Sequence, residues 1–216
     1  IPFHHPEDLP RFVLQTLCSR DNLEADRLDL HERPLVRGGR VCGVSAGDTA
    51  LEGDAVMVCL GAWSGEFLRP AGINPHVIPA RGYSITLPPG PAAPEVSVTA
   101  LRHKMVFSRI NGFVRIAGFV DFTGFDTAAD DARADQLLRT ARDFAPEAAD
   151  YASDEVKTWG GFRPMTPDGR PQVVATPVPG LYINIGHGML GWTLACATAY
   201  DAAQAVMRPA APATSH

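Results

Sequence analysis

The feature that most limits the fold is an uninterrupted apolar run over residues 55–63, Ala-Val-Met-Val-Cys-Leu-Gly-Ala-Trp. The run is about half the length that a helix needs to cross a bilayer, so it does not indicate a membrane span. Strands that are buried on both faces of a parallel sheet read as continuous apolar runs. Residues 51–60, which Gly61 follows, therefore predict such a strand. A parallel sheet in turn indicates an α/β arrangement.

Further strands are predicted where apolar residues alternate with polar ones or form short runs. They lie within residues 26–36, Arg40–Ala46, 81–87, 96–101, 104–109, 113–119 and Leu181–Ile185. Asn111 and Gly112 separate two of these segments, and an Asn-Gly pair between strands is a strong hairpin signal. A turn is predicted at Gly47 and Asp48. The middle of the chain is therefore expected to form an antiparallel sheet.

Helices and loops follow from the remaining patterns. Apolar residues recur at helical spacing in residues 6–17, 126–144 and 190–207. The first of these segments opens with a proline and two acidic residues, which suit a helix N-terminus. Residues 161–180 are rich in proline and glycine and predict a loop, and the Pro/Ala-rich residues 209–216 predict a frayed end.

The charge and the cysteines exclude several classes of function. The net charge is −5 and no lysine or arginine cluster offers a surface for phosphates, so nucleic acid is not an expected partner. Cys18, Cys42, Cys59 and Cys196 form no C-x-x-C pair, and no histidine stands at metal-ligand spacing. We therefore expect no metal site, and a reduced, cytoplasmic setting.

A first candidate for chemistry is the segment at residues 159–171, Trp-Gly-Gly-Phe-Arg-Pro-Met-Thr-Pro-Asp-Gly-Arg-Pro. It presents Arg163 in a rigid, proline-rich loop, where a guanidinium can hold a carboxylate through two parallel hydrogen bonds. A structural arginine that donates to loop carbonyls is the alternative. The segment by itself leaves both interpretations open.

A second candidate is the segment at residues 184–195, which predicts a buried strand, a glycine-flanked turn and a helix N-terminus. Glycines in the turn allow a ligand to approach the backbone, and the free N–H groups and the dipole of the helix favour negative charge. A tight connection without any ligand is the alternative. The pattern alone favours neither.

Taken together, W-x-G-x-R-P-M-T-P-D-G-x-P and G-H-G-x-L-G-W-T-x-A-C resemble the C-terminal signature of the D-amino acid dehydrogenase small-subunit family. The wider group is that of the FAD-dependent glycine and D-amino acid oxidases. The order of the segments at residues 40–44, 54–64 and 78–86 agrees with this family, so the resemblance covers nearly all of residues 6–207.

The resemblance implies roles for individual residues. Arg163 matches the arginine that binds the substrate carboxylate. Tyr83 lies in the segment that crosses towards the active site, and its hydroxyl is expected to help to orient that carboxylate. The implied contacts to FAD are Gly61, Ala62, Trp63, Gly186, His187, Gly188, Met189, Leu190 and Gly191. A helix N-terminus at this turn would stabilise the negative charge of the reduced flavin. His187 is expected to contribute shape and backbone donors and not to act as a base.

The chain also departs from the family pattern. Ala175 stands where glycine is common, no G-x-G-x-x-G follows a strand, and the early acidic residue for the adenosine ribose is absent. The chain starts at Ile1 and not at a methionine. We expect a processed chain, one subunit of an assembly or a piece of a longer polypeptide, which lacks the part that binds the pyrophosphate of FAD. Such a chain by itself is expected to bind FAD weakly or not at all.

The expected fold is mixed α/β (α+β). Residues 1–75 and 161–216 would form parts of a Rossmann-like FAD-binding domain, and residues 76–160 an inserted antiparallel substrate-binding sheet. The expected reaction is the FAD-dependent oxidative deamination of D-amino acids. Its expected partners are the amino-acid substrate, the missing FAD-binding half or another subunit, and an electron acceptor that can bring the protein to the inner membrane.

Two other functions are compatible with the same resemblance. One is an oxidase or dehydrogenase of glycine, sarcosine or a proline derivative, because the family fold serves all of these substrates. The other is a non-catalytic fragment or subunit that needs a partner to supply the G-x-G-x-x-G half. The mass and the yellow colour of the purified species would separate these two alternatives.

Overall fold

A computed structural model of the chain describes residues 12–15, 33–46, 49–128 and 130–207. The regular elements follow in the order β1 (Phe12–Gln15), β2 (Arg33–Arg37), β3 (Arg40–Ala46), β4 (Thr49–Glu52), β5 (Ala55–Val58), α1 (Ser64–Leu68), β6 (Ile78–Leu87), β7 (Val98–Ala100), β8 (Met105–Ile110), β9 (Phe113–Asp121), α2 (Asp130–Phe144), β10 (Lys157–Met165), β11 (Gln172–Ala175), β12 (Leu181–Ile185) and α3 (Gly191–Met207). This mixture of helices with several sheets agrees with the predicted α/β class. None of the helices in these ranges is long and apolar enough to span a membrane.

The chain divides into two compact units, one of Ile1–Ile78 with Pro164–His216 and one of Pro79–Arg163. The boundary falls within β10. We call them unit 1 and unit 2. The functional roles expected for the corresponding parts of the chain remain predictions.

The main sheet of unit 1 has the strand order β1-β5-β12-β11. Strand β5 is parallel to both of its neighbours, and β11 is antiparallel to β12. Val56 and Val58 of β5 pack into one apolar cluster with Phe67 and Leu68 of α1, while Met57 faces a second cluster that includes α3. Because β5 is buried on both sides, the parallel strand predicted from its apolar run is confirmed.

Two predictions in unit 1 are wrong. Residues 51–60 are not one strand, because the chain breaks between β4 and β5, and β4 turns to pair with β3 in a separate antiparallel sheet of order β2-β3-β4. The charged side chain of Glu52 pairs with Arg37 at 2.7 Å on the surface, which is incompatible with a doubly buried strand. Residues 12–15 form a strand and not part of a helix, since pairing with β5 overrides the local periodicity.

Some predictions lie outside the described residues. These are the remainder of the helix at residues 6–17, residues 26–32 of the predicted strand, the turn at Gly47 and Asp48, and the tail at residues 209–216.

Unit 2 contains a sheet of order β10-β6-β9-β8-β7, with α2 packed against one face. Strand β6 is antiparallel to β9, and β9 is antiparallel to β8. Between β8 and β9, Asn111 (φ 50°) and Gly112 (φ 84°) form the predicted hairpin turn with positive φ at both positions. The core under α2 contains Ile85, Phe107, Ile116 and Leu137, among others.

The loop predicted for residues 161–180 is wrong over two stretches. Residues up to Met165 extend β10 alongside β6, and Gln172–Ala175 form β11. Of the five prolines in this region only Pro164 lies within a strand, and β10 accommodates it because edge strands tolerate proline. Arg163 therefore projects from a strand, a more rigid base than the expected loop.

Candidate functional site

Two of the segments that the sequence singled out lie at one edge of the unit 1 sheet. Strand β5 is followed by a 3-10 turn at Gly61–Trp63, and the neighbouring strand β12 is followed by residues 186–190. Because β5 and β12 are parallel, both connections leave the same edge of the sheet. Open α/β sheets bind ligands at the carboxyl ends of their strands. The structure thus brings together the two segments predicted to contact the cofactor.

The turn after β12 depends on its glycines. Gly186 has φ 80° and Gly188 has φ 54°, a backbone conformation that side chains with a Cβ rarely adopt. The N–H of Gly188 donates to the carbonyl of Pro164 at 2.9 Å, and a Cβ at Gly188 would stand 3.3 Å from the sulfur of Met165. The turn is therefore held close to the chain that follows Arg163.

Helix α3 presents backbone donors at this turn that its own hydrogen bonds do not use. Its first i-to-i−4 bond joins the N–H of Leu194 to the carbonyl of Leu190 at 2.9 Å. The N–H groups of Gly191, Trp192 and Thr193 precede that bond and have no partner within the helix. This end of the helix also carries the positive end of its dipole, so it favours a negatively charged or carbonyl-bearing ligand.

His187 connects the turn to helix α3. Its Nε2 lies 3.1 Å from the hydroxyl oxygen of Thr198, whose own proton goes to the carbonyl of Leu194 at 3.1 Å. With that proton committed, Nε2 is the donor to Thr198. Burial lowers the pKa of His187 below its usual 6.5, which favours the neutral ring at neutral pH. His187 therefore ties the turn to α3, as expected for a residue that supplies shape and not a base.

Three large apolar side chains in the turn and at the start of α3 are exposed. Met189 is 71% exposed, Leu190 is 56% exposed and Trp192 is 96% exposed. Clustered exposed apolar residues of this size mark a binding surface. An apolar, planar ring with polar atoms at one edge matches both this surface and the backbone donors beside it.

The turn after β5 contributes an accessible backbone and an unsatisfied hydroxyl. Gly61 has φ 56°, and a Cβ there would meet nothing within 4 Å. Ala62 is buried, whereas Trp63 is half-buried. The hydroxyl of Ser64 is fully buried and has no hydrogen-bond partner among the described residues. The backbone at Gly61 is therefore open to a ligand at this edge.

In unit 2, the guanidinium of Arg163 lies directly over the backbone of Gly82. A Cβ at Gly82 would come closer than 3.0 Å to Nη1, Cζ and Nη2 of Arg163, a separation that real Cβ atoms essentially never show. Nη1 donates to the carbonyl of Phe119 at 3.2 Å. The pKa of Arg163 is lowered by burial, since desolvation disfavours its charge.

Arg163 differs from two other arginines of this unit in its partners. Arg81 forms an ion pair with Asp130, and Arg133 binds Asp121 with Nε at 2.7 Å from Oδ2. Among the described residues, no carboxylate pairs with Arg163. A half-buried cation whose hydrogen-bond partner in the described part of the chain is a carbonyl is suited to bind an anionic ligand.

Tyr83 lies on the other side of the sheet from this guanidinium. Its ring is in the core under α2, and adjacent strand residues such as Gly82 and Tyr83 point to opposite faces. Its hydroxyl donates to Oδ2 of Asp121 at 2.8 Å. Burial and the bond to Asp121 raise the pKa of Tyr83 to about 12. The structure therefore does not bring Tyr83 and Arg163 together on one face, and a role for Tyr83 in orienting a carboxylate remains a prediction.

The sequence reasoning missed residues that the sheet places beside Arg163. The guanidinium of Arg163 lies against Gly82. Arg115 donates to the hydroxyl of Ser84, which is on the same face of the sheet as Gly82. A glycine inside a strand pattern signals a close approach of other atoms, and that signal was present at Gly82. No local pattern distinguishes Arg115 from an ordinary surface arginine.

Comparison with known proteins gives three results. Residues 21–205 match the family model described as FAD dependent oxidoreductase. The chain is 42% identical over 174 residues to a D-amino acid dehydrogenase of Vibrio cholerae serotype O1, which covers 79% of this chain and 41% of that protein. It is 38% identical over 180 residues to a D-amino acid dehydrogenase of Paramagnetospirillum magneticum, which covers 82% of this chain and 42% of that protein. The chain thus spans less than half the length of these relatives.

Solved structures share the fold at lower identity. An iminodiacetate oxidase from Chelativorans sp. BNC1 has a TM-score of 0.65 at 23% identity, over 85% of this chain and 50% of that chain. A glycine oxidase from Bacillus cereus ATCC 14579 has a TM-score of 0.64 at 18% identity, over 81% of this chain and 48% of that chain.

Proposed function

The chain belongs to the FAD-dependent oxidoreductase family, and we propose that it carries the flavin-contacting turns and the carboxylate-binding arginine of a D-amino acid dehydrogenase. The choice of D-amino acids is supported by the relatives at 42% and 38% identity that bear this name. Under this proposal the reaction is oxidative deamination, in which an imino acid forms and is then hydrolysed by water.

The observation that carries the proposal is the environment of Arg163. A guanidinium that is fixed on a strand, is partly desolvated and pairs with no carboxylate of the described residues can hold the α-carboxylate of an amino acid in a defined orientation. Such orientation is the main requirement of a reaction in which a cofactor performs the chemistry.

The residues at the edge of the unit 1 sheet fit a flavin ring. The backbone of Gly61 and the turn at residues 186–191 would hold it, with the exposed side chains of Met189 and Leu190 against its apolar surface. When bound, FAD supplies a two-electron acceptor that takes a hydride from the substrate Cα. The N–H groups at the start of α3 stabilise the negative charge that this transfer creates. His187, which is neutral and hydrogen-bonded to Thr198, holds these N–H groups in the orientation that this contact requires.

The proposal also covers the pyrophosphate site of FAD, the electron acceptor and the location of the protein. We place the pyrophosphate of FAD on a G-x-G-x-x-G turn outside this sequence, because no strand within it is followed by that pattern. This turn would come from an N-terminal half or another subunit. Electrons would pass to a separate acceptor, from a cytoplasmic protein that can associate with the inner membrane.

The test is the flavin absorbance, under anaerobic conditions, of the complete FAD-loaded protein with the G-x-G-x-x-G half present. We expect D-alanine to bleach the oxidised flavin band, and L-alanine to leave it unchanged. Bleaching by glycine, sarcosine or a proline derivative without bleaching by D-alanine would replace the proposal with the amine-oxidase alternative. If the complete protein, with the G-x-G-x-x-G half present, stays colourless after FAD reconstitution, a non-catalytic role is favoured.

A further inference from the structure

A second arginine shares the sheet face of Arg163. Residues two apart in a strand point to the same face, so Ser84 lies on the face of Gly82 and Arg163. Nε and Nη2 of Arg115 donate to the hydroxyl of Ser84 at 3.3 and 3.2 Å. The guanidinium of Arg115 also stacks over the ring of Trp159, 5.7 Å from its centroid. We call the surface formed by Gly82, Ser84, Arg115, Trp159 and Arg163 the arginine face.

The two guanidinium groups have a defined spacing on the arginine face. One lies over Gly82 and the other at Ser84, two residues further along β6. Two residues of a strand span about 7 Å, so the two cationic groups lie roughly that far apart. Both are anchored, Arg163 by the carbonyl of Phe119 and Arg115 by Ser84.

The sheet itself provides no anion for this pair of charges. The only acidic residue in its five strands is Asp121, which accepts the hydroxyl of Tyr83 and both guanidinium nitrogens of Arg133. Those contacts lie on the face that α2 covers. Neither Arg115 nor Arg163 has an ion-pair partner among the described residues. Two fixed like charges without a counter-charge repel each other, and a ligand with two anionic groups relieves the repulsion.

We propose that Arg115 binds a second carboxylate of the substrate, so that the substrate class is D-amino acids with an acidic side chain, the D-aspartate and D-glutamate type. The inference rests on the proposed function, which assigns the α-carboxylate to Arg163. Three or four C–C bonds of about 1.5 Å each link the two carboxyl carbons of such an amino acid. One molecule can therefore present a carboxylate to each guanidinium. Arg115 retains Nη1 for this contact, since its bonds to Ser84 use Nε and Nη2.

The experiment compares acids with their isosteric amides in the complete FAD-loaded protein. We expect kcat/KM for D-glutamate to exceed that for D-glutamine by on the order of tenfold to a hundredfold, the worth of a charge-assisted hydrogen bond. Arg115→Gln should remove this preference. The control is Arg109→Gln on β8, whose side chain lies 3.8 Å from exposed Glu95, and it should keep the preference because such surface pairs contribute little.

A binding measurement separates failure of this inference from failure of the proposed function. Glutarate should perturb the flavin spectrum at a concentration about tenfold lower than valerate, which has the same chain length and one carboxylate. If D-alanine is oxidised but the acids show no advantage over the amides, the second-carboxylate inference is overturned and the proposed function stands. If no D-amino acid is oxidised, the proposed function fails. In that case the inference still holds, as a diacid site, if glutarate binds more tightly than valerate and Arg115→Gln removes the difference. Without that difference the inference fails as well.

Discussion

Replacing Gly82 by alanine tests whether this glycine positions the guanidinium of Arg163. The new Cβ would lie closer than 3.0 Å to three guanidinium atoms, whereas ordinary van der Waals contact begins at 3.4 Å. The blocking atoms belong to the far end of a flexible side chain, so the sheet can keep its structure while the guanidinium withdraws. A displacement of about 1 Å is enough to lower the rate about a hundredfold when it misplaces a substrate.

The expected result is a higher KM and a lower kcat/KM for D-amino acids, by about tenfold to a hundredfold, equivalent to about 1.5–3 kcal/mol. The flavin-to-protein ratio and the melting temperature should change little. The matched control is Gly65→Ala in α1, where a Cβ would meet nothing within 4 Å. That variant should keep its kinetic constants and can gain a few tenths of a kcal/mol of stability.

A double-mutant cycle decides whether the effect of Gly82 operates through Arg163. If it does, Gly82→Ala combined with Arg163→Ala should have the same kcat/KM as Arg163→Ala alone. Additive losses in the double variant would refute the reasoning, because they would show that Gly82 acts on something other than this guanidinium. Unchanged kinetics of Gly82→Ala with an impaired Arg163→Ala would refute it equally.

Three further predictions test separate parts of the molecule. Arg163→Lys should raise KM by a factor equivalent to about 1.5–3 kcal/mol and leave the FAD content intact, because an ammonium group cannot form the two parallel hydrogen bonds of a guanidinium. Unchanged steady-state constants would show that Arg163 has a structural role. Gly188→Val should lower the flavin-to-protein ratio or kcat more than the melting temperature, because φ is 54° and Met165 leaves little room; early unfolding with normal flavin and turnover would contradict the flavin contact. The bond from Arg133 lowers the pKa of Asp121 below its usual 3.8, so Asp121 stabilises the fold above that pH and the contribution is lost as the pH falls towards the lowered pKa. The stability difference between wild type and Asp121→Asn, measured by urea unfolding, should therefore shrink below pH 3.8, and a constant difference would contradict this.

Local patterns were sufficient to predict the elements that depend mainly on neighbouring residues in the sequence. The apolar run that contains β5, the hairpin at Asn111 and Gly112, and the strand-turn-helix around Gly186 all follow from short-range spacing and turn chemistry. The two joint motifs were specific enough to indicate the family. The identity of Arg163 as a candidate anion-binding residue also came from its motif.

Other features depended on which strands pair, and no short segment encodes that. Residues 12–15 have a helical spacing but form β1 because β5 offers a parallel partner. Arg163 was expected in a loop, and pairing of β10 with β6 places it on a strand and over Gly82.

The composition of the candidate site was likewise decided by the tertiary structure. Tyr83 and Gly82 are neighbours in the sequence, yet the pleat sends one under α2 and leaves the other beneath Arg163. Arg115 joins the same face only because β9 pairs with β6 in a register that sets Arg115 opposite Thr86. The sequence by itself determined the residue types and those local elements that short-range spacing specifies. The sheet order and register determined which side chains meet, because hydrogen bonds between strands join residues that are far apart in the chain.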